Sequence, residues 1–389
     1  MSIAPPSTDT FTRPQVLSLA AAISCVVTVG IGLSLSIPLL SFALDAKGAS
    51  RTLIGLNTAM PGVATLVCAP FISGWARRFG MAPTLAGAIL VAAASLLAFN
   101  AVTPIWVWFP IRFALGAALS VLFVLSEYWI NAAAPESRRG LVLGVYATAL
   151  SLGFALGPQV LGLLGTTGWP PYLAGAAILL LSGIPIAIAG GRAPPIEDKP
   201  SAGFLSFFWL VPSATLAALV FGAAETSSIA LLPLYGTAIG LETSAAIGLV
   251  SAFVLGNVLF QIPMGIIADR TDRRLVLLFC GVSGVLGMGA LAFVALPPIG
   301  IFILLMVLGG LVAGLYTVGL AHLGSRFKGA DLAQANAAFV VFYSVGLIIG
   351  PPLGGAGMDL WPPHGLPATL AAMFLVYVIV VALRMARRG

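Results

Sequence analysis

The chain has 389 residues, of which 60% are hydrophobic and only 8% are charged. Soluble globular proteins carry about 25% charged residues, and a chain with far fewer is unable to cover a water-facing surface. The composition therefore excludes an ordinary soluble enzyme or binding domain and predicts a protein embedded in a lipid bilayer.

The charged residues are clustered, and the uncharged windows between the clusters exceed the roughly 20 residues that one membrane-spanning helix needs. Two long windows have helix-breaking residues in the middle, at 168–171 and 297–300, and each predicts a helical hairpin. In chain order, the first half predicts helices at 16–44, 52–74, 81–101, 106–130, 140–164 and 171–190. The second half predicts helices at 207–235, 246–267, 275–295, 300–322, 332–356 and 367–384. The windows are continuously apolar, without the alternation of a barrel strand, so the predicted fold class is all-α.

The positions of Lys and Arg predict how the chain is oriented in the membrane. Twelve spans place both termini on one side, and 15 of the 18 Lys and Arg residues lie on that side. The other side has only Lys47 and Arg51, and Arg112 lies within a span. Because basic residues concentrate in cytoplasmic loops, both termini and Lys199 are predicted to be cytoplasmic. This distribution accounts for the net charge of +6, so no nucleic-acid partner is expected.

The cysteines and histidines give no sign of a metal site or a catalytic group. Cys25, Cys68 and Cys280 lie singly in apolar windows, so neither a disulfide nor a cysteine metal site is predicted. Neither His322 nor His364 has the sequence neighbours that a metal ion or a catalytic triad needs. No enzyme activity, cofactor or metal is therefore expected. The first apolar run is much longer than a signal-peptide core, and we expect it to be an uncleaved span.

The second half of the sequence repeats features of the first. Ser73–Gly80 lies 192 positions before Gly265–Asp272. A second matched set lies 193 positions apart, and it consists of Gly153, Gly157 and Pro158 with Gly346, Gly350 and Pro351. An offset close to half the chain length indicates two parallel six-helix halves. The predicted domains are a six-helix bundle at 1–190, a cytoplasmic linker at 191–204 and a second six-helix bundle at 205–389.

A motif lies between predicted helices 8 and 9, where residues 265–274 read G-x-x-A-D-R-x-x-R-R. This run resembles the motif that the major facilitator superfamily carries in the same loop. The first-half copy departs from the motif, because Ser73 and Arg77 replace its glycine and its acidic residue. The resemblance implies a gating role for the motif residues, which are Gly265, Asp269, Arg270, Arg273 and Arg274.

Predicted helices 5 and 11 resemble the antiporter motif of the same superfamily. In helix 5 Leu161 replaces one closing glycine, and the matching residues are Gly144, Gly153, Gly157, Pro158 and Gly162. The matching residues of helix 11 are Gly346, Gly350, Pro351, Gly354 and Gly355. Small residues four positions apart let helix backbones approach closely, so closely packed helices are expected here. Such packing does not by itself demonstrate antiport.

Further stretches of the sequence resemble the helix 4 motif of the superfamily and one bacterial subgroup within it. Arg112, Leu115 and Gly116 resemble the superfamily's helix 4 motif, which has one intramembrane arginine. The run Glu127–Asn131, followed by Arg139, is similar to a run in a YcaD-like bacterial subgroup, and so are 232–235 and 315–322. The resemblance covers nearly the whole chain. It implies twelve helices in two pseudo-symmetric bundles and alternating-access transport of a small molecule across the bacterial cytoplasmic membrane. It also implies a monomer that uses protons.

Three charged residues, Arg112, Glu127 and Glu225, lie within predicted spans. A charge at mid-helix costs roughly 2.5–3.5 kcal/mol, so each is expected to face protein or water. Arg112 either anchors neighbouring helices or acts in gating or proton relay. Glu127 lies near the predicted cytoplasmic end of helix 4, and pairing with Arg138, Arg139 or another cation of the inner surface is favoured. Glu225 is the better candidate for proton coupling, because its apolar helix supplies no cation; substrate contact and structural hydrogen bonding are its alternatives.

Two further sets of residues complete the candidate site. Polar and aromatic residues at membrane depth are candidates to line a central cavity, and they are Asn57, Asn257, Gln261, Tyr146, Tyr316, Phe342 and Tyr343. At the predicted cytoplasmic gate, Asp269 is expected to pair with the start of helix 5 near Arg138 and Arg139. This pair would form in the outward-open state and break in the inward-open state.

The leading functional hypothesis is a proton-coupled antiporter that exports a small, largely apolar or amphipathic organic compound. The alternative is a facilitator or proton symporter that imports a metabolite, with Arg112 meeting an anionic group. A membrane-embedded enzyme or a channel is disfavoured, because the sequence has no metal-ligand cluster or nucleophile–base pair and its two-fold repeat suits alternating access.

Overall fold

The structure, a computed structural model, describes residues 12–134, 139–189, 212–326 and 329–386. Within these ranges twelve helices are long and apolar enough to cross a membrane, and there is no strand. This finding confirms the predicted fold class. In chain order, α1 to α12 are Arg13–Ala46, Arg51–Phe79, Met81–Ala101, Trp108–Ala133, Arg139–Leu164, Pro170–Leu181 with Gly183–Ala189, Pro212–Ala238, Thr243–Arg270, Arg273–Phe293, Pro298–Gly324, Gly329–Leu360 and Gly365–Ala386.

Several helices are longer than the sequence predicts, and α2 illustrates the reason. The apolar window predicts an end at 74, whereas α2 continues to Phe79. Its last turn contains Arg77 and Arg78. Positive side chains interact favourably with the carbonyl end of a helix, so the helix continues beyond its apolar residues. Predictions that end a helix at its first charge are therefore too short.

The sequence predicts one helix at 171–190, whereas α6 has two segments separated by Ser182. Pro185 has no N–H to donate to the carbonyl of Leu181, and this missing hydrogen bond accounts for the interruption. The predicted start of helix 7 at 207 and the predicted linker at 191–204 lie outside the described residues.

Both predicted hairpins are confirmed. Between α5 and α6 the chain turns at Gly165 and Gly168, which have φ values of 75° and 71°. Only glycine adopts this left-handed conformation at no steric cost. Pro170 then begins α6, where its missing N–H has no helical partner to lose. In the second hairpin, α10 begins at Pro298 directly after Pro297.

The same helix pairs pack together in both halves of the chain. The contacts of α1 with α5, α2 with α4 and α3 with α6 recur as α7 with α11, α8 with α10 and α9 with α12. The recurrence follows the order of the repeated sequence features. It supports the predicted division into two six-helix domains.

Glycines of the two antiporter-like motifs are what bring their helices together. A Cβ atom added at Gly153 of α5 would lie 2.6 Å from the carbonyl oxygen of Val27 in α1, and Ser34 Oγ donates a hydrogen bond to the carbonyl of Gly153 at 3.3 Å. In α11, Gly346 and Gly350 lie directly against the backbone of α7. A side chain at these positions would separate the backbones. The expected close packing is therefore found between α5 and α1, and between α11 and α7.

The two ends of the bundle differ in charge. We call one the basic end and the other, which carries Lys47 and Arg51, the opposite end. The two halves meet closely at the opposite end: Gly55 of α2 lies against the carbonyl of Pro351, and Gly355 of α11 lies against the carbonyl of Arg51. The described basic residues of the basic end are Arg13, Arg77, Arg78, Arg270, Arg273, Arg274, Arg326 and Arg384.

A second contact closes the opposite end between α5 and α8. Gln159 Nε2 donates a hydrogen bond to Ser251 Oγ at 3.3 Å. Gly144 and Gly265, near the basic end, make no comparable approach to a described residue. A Cβ atom added at Gly144 or Gly265 would find no heavy atom of the described residues within 4 Å. The transporter-like bundle is therefore in a state that is closed at the opposite end.

Candidate functional site

Glu225 lies in the middle of α7, the most deeply buried of the twelve spans. The hydroxyl of Tyr343 in α11 donates a hydrogen bond to Glu225 Oε2 at 2.6 Å. The two helices come this close because Gly222 faces Tyr343, whose backbone oxygen would lie 2.5 Å from an added Cβ atom. Among the described residues no cation pairs with Glu225. A negative charge at this site therefore has a hydroxyl as its partner rather than an ion.

Aromatic rings surround this hydrogen bond, and we call Phe221, Tyr316, Phe339 and Tyr343 the aromatic cluster. The Tyr316 ring centroid lies 5.7 Å from that of Phe221, 5.1 Å from that of Phe339 and 5.5 Å from that of Tyr343. Phe221 stacks on Tyr343 at 6.1 Å. Rings at these distances pack in the tilted and edge-on geometries that aromatic pairs prefer. The cluster gives the carboxyl a largely apolar wall from α7, α10 and α11.

Glu127 lies near the end of α4, which ends at Ala133. Its side chain is exposed. The predicted pairing of Glu127 with Arg138 or Arg139 remains a prediction. Arg138 lies outside the described residues and so does the side chain of Arg139.

Arg112 is buried between α4 and α1, with only 1% of its surface exposed. Its Nη1 donates a hydrogen bond to the carbonyl of Ser36 at 3.3 Å, and its Nε has no partner among the described residues. Gly116, one turn later, lies against Pro61 and holds α4 close to α2. This geometry favours the anchoring role among the alternatives for Arg112.

The structure brings only some of the cavity candidates together. Tyr316 and Tyr343 join Glu225 in the aromatic cluster. Tyr146 is buried, and its hydroxyl lies 3.0 Å from Oγ of Ser126, the residue before Glu127 in α4. The other candidates differ in burial: Asn57 is buried, Asn257 and Phe342 are half-buried, and Gln261 is exposed.

Sequence reasoning missed two members of the aromatic cluster, Phe221 and Phe339. Each lies four residues before a group that it did identify, Glu225 or Tyr343. Residues four apart share a helix face, so this spacing was the available signal. In an apolar helix the same spacing is also typical of ordinary packing, which is why it does not stand out.

Asp269, the predicted gate residue, lies in the last turn of α8 and pairs with the first residue of α9. Arg273 Nη2 donates a hydrogen bond to Asp269 Oδ1 at 3.3 Å, and 73% of the aspartate side chain is exposed. Such an exposed pair contributes little energy. The predicted contact with α5 stays a prediction, because Arg138 and the side chain of Arg139 lie outside the described residues. Among the described residues, no group of three or more His, Cys, Asp or Glu side chains is arranged to hold a metal ion.

Comparison with solved structures identifies the architecture. The nucleoside transporter NupG aligns with a TM-score of 0.76 at 16% identity, covering 96% of this chain and 99% of its own. A bacterial homolog of the human lysosomal transporter Spinster, in an inward-facing and unoccupied conformation, aligns with a TM-score of 0.78 at 13% identity, with 96% of each chain covered. At these identities the likeness concerns the fold.

Sequence relatives place the chain more closely. It is 26% identical over 370 residues to the uncharacterized MFS-type transporter YfkF of Bacillus subtilis (strain 168), covering 90% of this chain and 92% of YfkF. It is 25% identical over 392 residues to the uncharacterized MFS-type transporter YcaD of Salmonella dublin, with 96% of each covered. These relatives confirm the YcaD-like resemblance. The family model described as Major Facilitator Superfamily matches residues 22–251 and 214–388, and with it the conclusion is plain: this chain belongs to the major facilitator superfamily of secondary transporters, which work by alternating access.

Proposed function

We propose that this transporter exports a small apolar or amphipathic organic compound in exchange for protons, and that Glu225 carries the coupled proton. The observation that supports the proposal is the 2.6 Å hydrogen bond from Tyr343 to Glu225 within the membrane-spanning region. An ionisable side chain at this depth is costly, and such residues commonly mark proton or substrate pathways. The partner of this carboxyl is a hydroxyl, which tolerates both of its protonation states.

Coupling follows from the different costs of those two states. An ionised carboxylate without a cation is expensive to enclose, whereas a protonated carboxyl is neutral and has a proton of its own to donate. The carrier should therefore change between its open states most readily when Glu225 is protonated, or when a bound compound covers the carboxylate. Alternate occupation of one site by a proton and a compound gives exchange.

The aromatic cluster supports the choice of an apolar or amphipathic compound. Its rings offer large apolar contact area beside a single polar group, as ligand pockets commonly do. Arg112 is enclosed and already donates to Ser36, so it is poorly placed to meet an anionic metabolite. The alternative is a facilitator or symporter that imports a metabolite. The experiment below distinguishes it from the proposed antiporter.

The experiment begins with thermal-shift screening of the purified protein against a metabolite and drug library to obtain a transported compound. In proteoliposomes, a proton antiporter accumulates that compound in the lumen when the lumen is acidic, whichever way the protein is inserted. Glu225→Gln should abolish this gradient-driven accumulation and leave binding of the compound measurable, because the amide cannot release a proton.

The matched control is Glu242→Gln, which removes an exposed carboxyl at the start of α8 and should transport as the wild type does. Gradient-driven accumulation by Glu225→Gln at the wild-type level would show that this residue does not carry the proton. Accumulation in an alkaline lumen would show symport, and accumulation that never exceeds equilibrium would show a facilitator.

A further inference from the structure

The last turn of α11 reaches across the opposite end to the first turn of α2. Asp359 Oδ1 accepts a hydrogen bond from the backbone N–H of Arg51 at 2.9 Å. Asp359 Oδ2 accepts two more from Thr52, one from its backbone N–H at 2.8 Å and one from its hydroxyl at 2.6 Å. One carboxylate of the second half therefore holds three donors of the first half.

These donors are groups that a helix leaves without partners. The first N–H groups of a helix have no intrahelical acceptor, and the positive end of the helix dipole lies beside them. In α2 the side chain of the preceding residue, Ser50, accepts the N–H of Leu53 at 3.2 Å, and its carbonyl accepts that of Ile54 at 3.0 Å. Asp359 therefore accepts hydrogen bonds from the N–H groups of Arg51 and Thr52, which Ser50 does not cap. Its negative charge also interacts favourably with the positive end of the helix dipole.

The arrangement depends on close backbone contact between the two helices. Gly355, one turn before Asp359, lies against the carbonyl of Arg51, and Gly55, one turn after Arg51, lies against the carbonyl of Pro351. A side chain at either glycine would push the helices apart and carry the carboxylate out of hydrogen-bonding distance. The glycines and Asp359 thus form one contact surface across the two halves.

The side chain of Arg51 has a different partner. Its guanidinium is paired with Asp45 at the end of α1, in the same half. Asp359 is therefore bound to the backbone of α2, while the side chain of Arg51 joins α1 to α2. The contact between halves at this point depends on the helix terminus rather than on a side-chain ion pair.

We infer that Asp359 is a latch that keeps the transporter closed at its opposite end. Alternating access requires α2 and α11 to separate there, and separation breaks all three hydrogen bonds to Asp359 in every cycle. The two described exposed acids of the basic-end motif, Asp269 and Asp272, accept hydrogen bonds from Arg273 and Arg274 of the same motif instead. Asp359 therefore biases the empty transporter towards the state that is open at the basic end. This inference does not depend on Glu225, on protons or on the identity of the substrate.

The test measures the populations of the two states without any substrate. Spin labels are placed at Thr167 and Ala295, in loops at the opposite end of the first and second halves. The background carries serine in place of Cys25, Cys68 and Cys280, and the full chain is held in lipid nanodiscs. Asp359→Asn removes the charge but keeps the shape. The ratio of long to short distances should rise about threefold to tenfold, because a carboxylate at a helix terminus has an effect of this order.

Two further variants make the test specific. Thr52→Val removes only the hydroxyl donor and keeps the backbone N–H, so it should shift the same ratio by a smaller factor. Glu242→Gln removes an exposed carboxyl at the same end whose side chain makes no capping bond, and it should leave the ratio unchanged. If Asp359→Asn does not fold, Thr52→Val decides the matter alone.

A second label pair, at Ala132 and Thr271, reports on the basic end. A latch predicts that this pair moves closer in the same molecules in which the opposite end opens. Widening at both ends would mean that the substitution merely loosens the bundle, and the latch would be rejected. An unchanged Thr167–Ala295 distribution in folded Asp359→Asn would reject it as well.

Discussion

At the scale of single residues, the hydrogen bond between Tyr343 and Glu225 is the central interaction of the candidate site. Its 2.6 Å length and its enclosure by the aromatic cluster mean that water does not readily replace a lost partner. A buried polar group that loses its partner costs about 1–3 kcal/mol. The pair should therefore contribute to stability as well as to transport.

This expectation is tested by a double-mutant cycle. Tyr343→Phe removes the donor and leaves the carboxyl unpaired, so it should lower the melting temperature. Once Glu225→Leu has removed the acceptor, Tyr343→Phe should cost less, with a coupling of about 1.5–3 kcal/mol. Thermal unfolding of the four proteins in one detergent measures the cycle, with Tyr377→Phe as a tyrosine control outside the cluster. Additive effects of the two substitutions would mean that the hydrogen bond contributes nothing.

Local sequence identified Glu225 but not Asp359. A carboxyl inside an apolar run is conspicuous, because placing an ionisable group within a membrane span costs free energy and such a residue usually has a function. Asp359 lies at the end of a helix, where charged residues are ordinary. Its partners lie 307 and 308 residues earlier in the chain, and nothing near Asp359 in sequence indicates them. Such a contact becomes visible only when the two halves are placed together.

At the scale of helices, the glycines of α5 have different surroundings although they belong to one motif. Gly157 lies directly against Ser34 of α1, whereas an added Cβ atom at Gly162 would find no heavy atom of the described residues within 4 Å. The first glycine is needed for packing. In this state, the space around Gly162 would accommodate a larger side chain.

The two glycines therefore give a matched pair of substitutions. Gly157→Ala should destabilise the protein by about 1–3 kcal/mol, because the new methyl group overpacks the contact with α1. Gly162→Ala should be neutral or slightly stabilising, since alanine favours a helix more than glycine does. Melting temperatures measured side by side decide the matter. Equal effects of the two substitutions would contradict the assignment of the close contact to Gly157.

The order and number of helices could be predicted from the sequence, because hydrocarbon thickness sets the length of each apolar run. Their ends could not. Arg77 and Arg78 end an apolar window of the sequence, but both belong to the last turn of α2. Positive side chains there interact favourably with the carbonyl end of the helix. The interruption of α6 had a signal in Pro185, but a proline inside a span is compatible with a continuous helix as well as with a broken one.

At the scale of the whole molecule, the orientation in the membrane is a prediction from the distribution of basic residues. Lys199 should lie on the cytoplasmic side and Lys47 on the outer side. In a cysteine-free background, Lys47→Cys should react with an impermeant thiol reagent added to intact cells, whereas Lys199→Cys should react only after the membrane is opened. Labelling of Lys199→Cys from outside would reverse the orientation.

The conformational state, unlike the fold, has no signature in the sequence. Gly55 and Gly355 allow backbone contact at the opposite end, but the same residues are present when that end is open. Two arrangements of one sequence differ by only a few kcal/mol, and which one prevails depends on the sum of contacts at both ends. The repeat predicts that two states exist without indicating which is preferred.

Closure at the opposite end makes the two faces of the membrane unequal in how they meet the binding site. A ligand that approaches from the open face finds the site ready, whereas one from the closed face binds only the fraction of molecules that have opened there. If that fraction is about one in ten, the apparent dissociation constant from the closed face is about tenfold higher than the intrinsic value. The same chemical site thus has a higher apparent affinity for compound on the open face than on the closed face, although at equal concentrations this asymmetry drives no net transport.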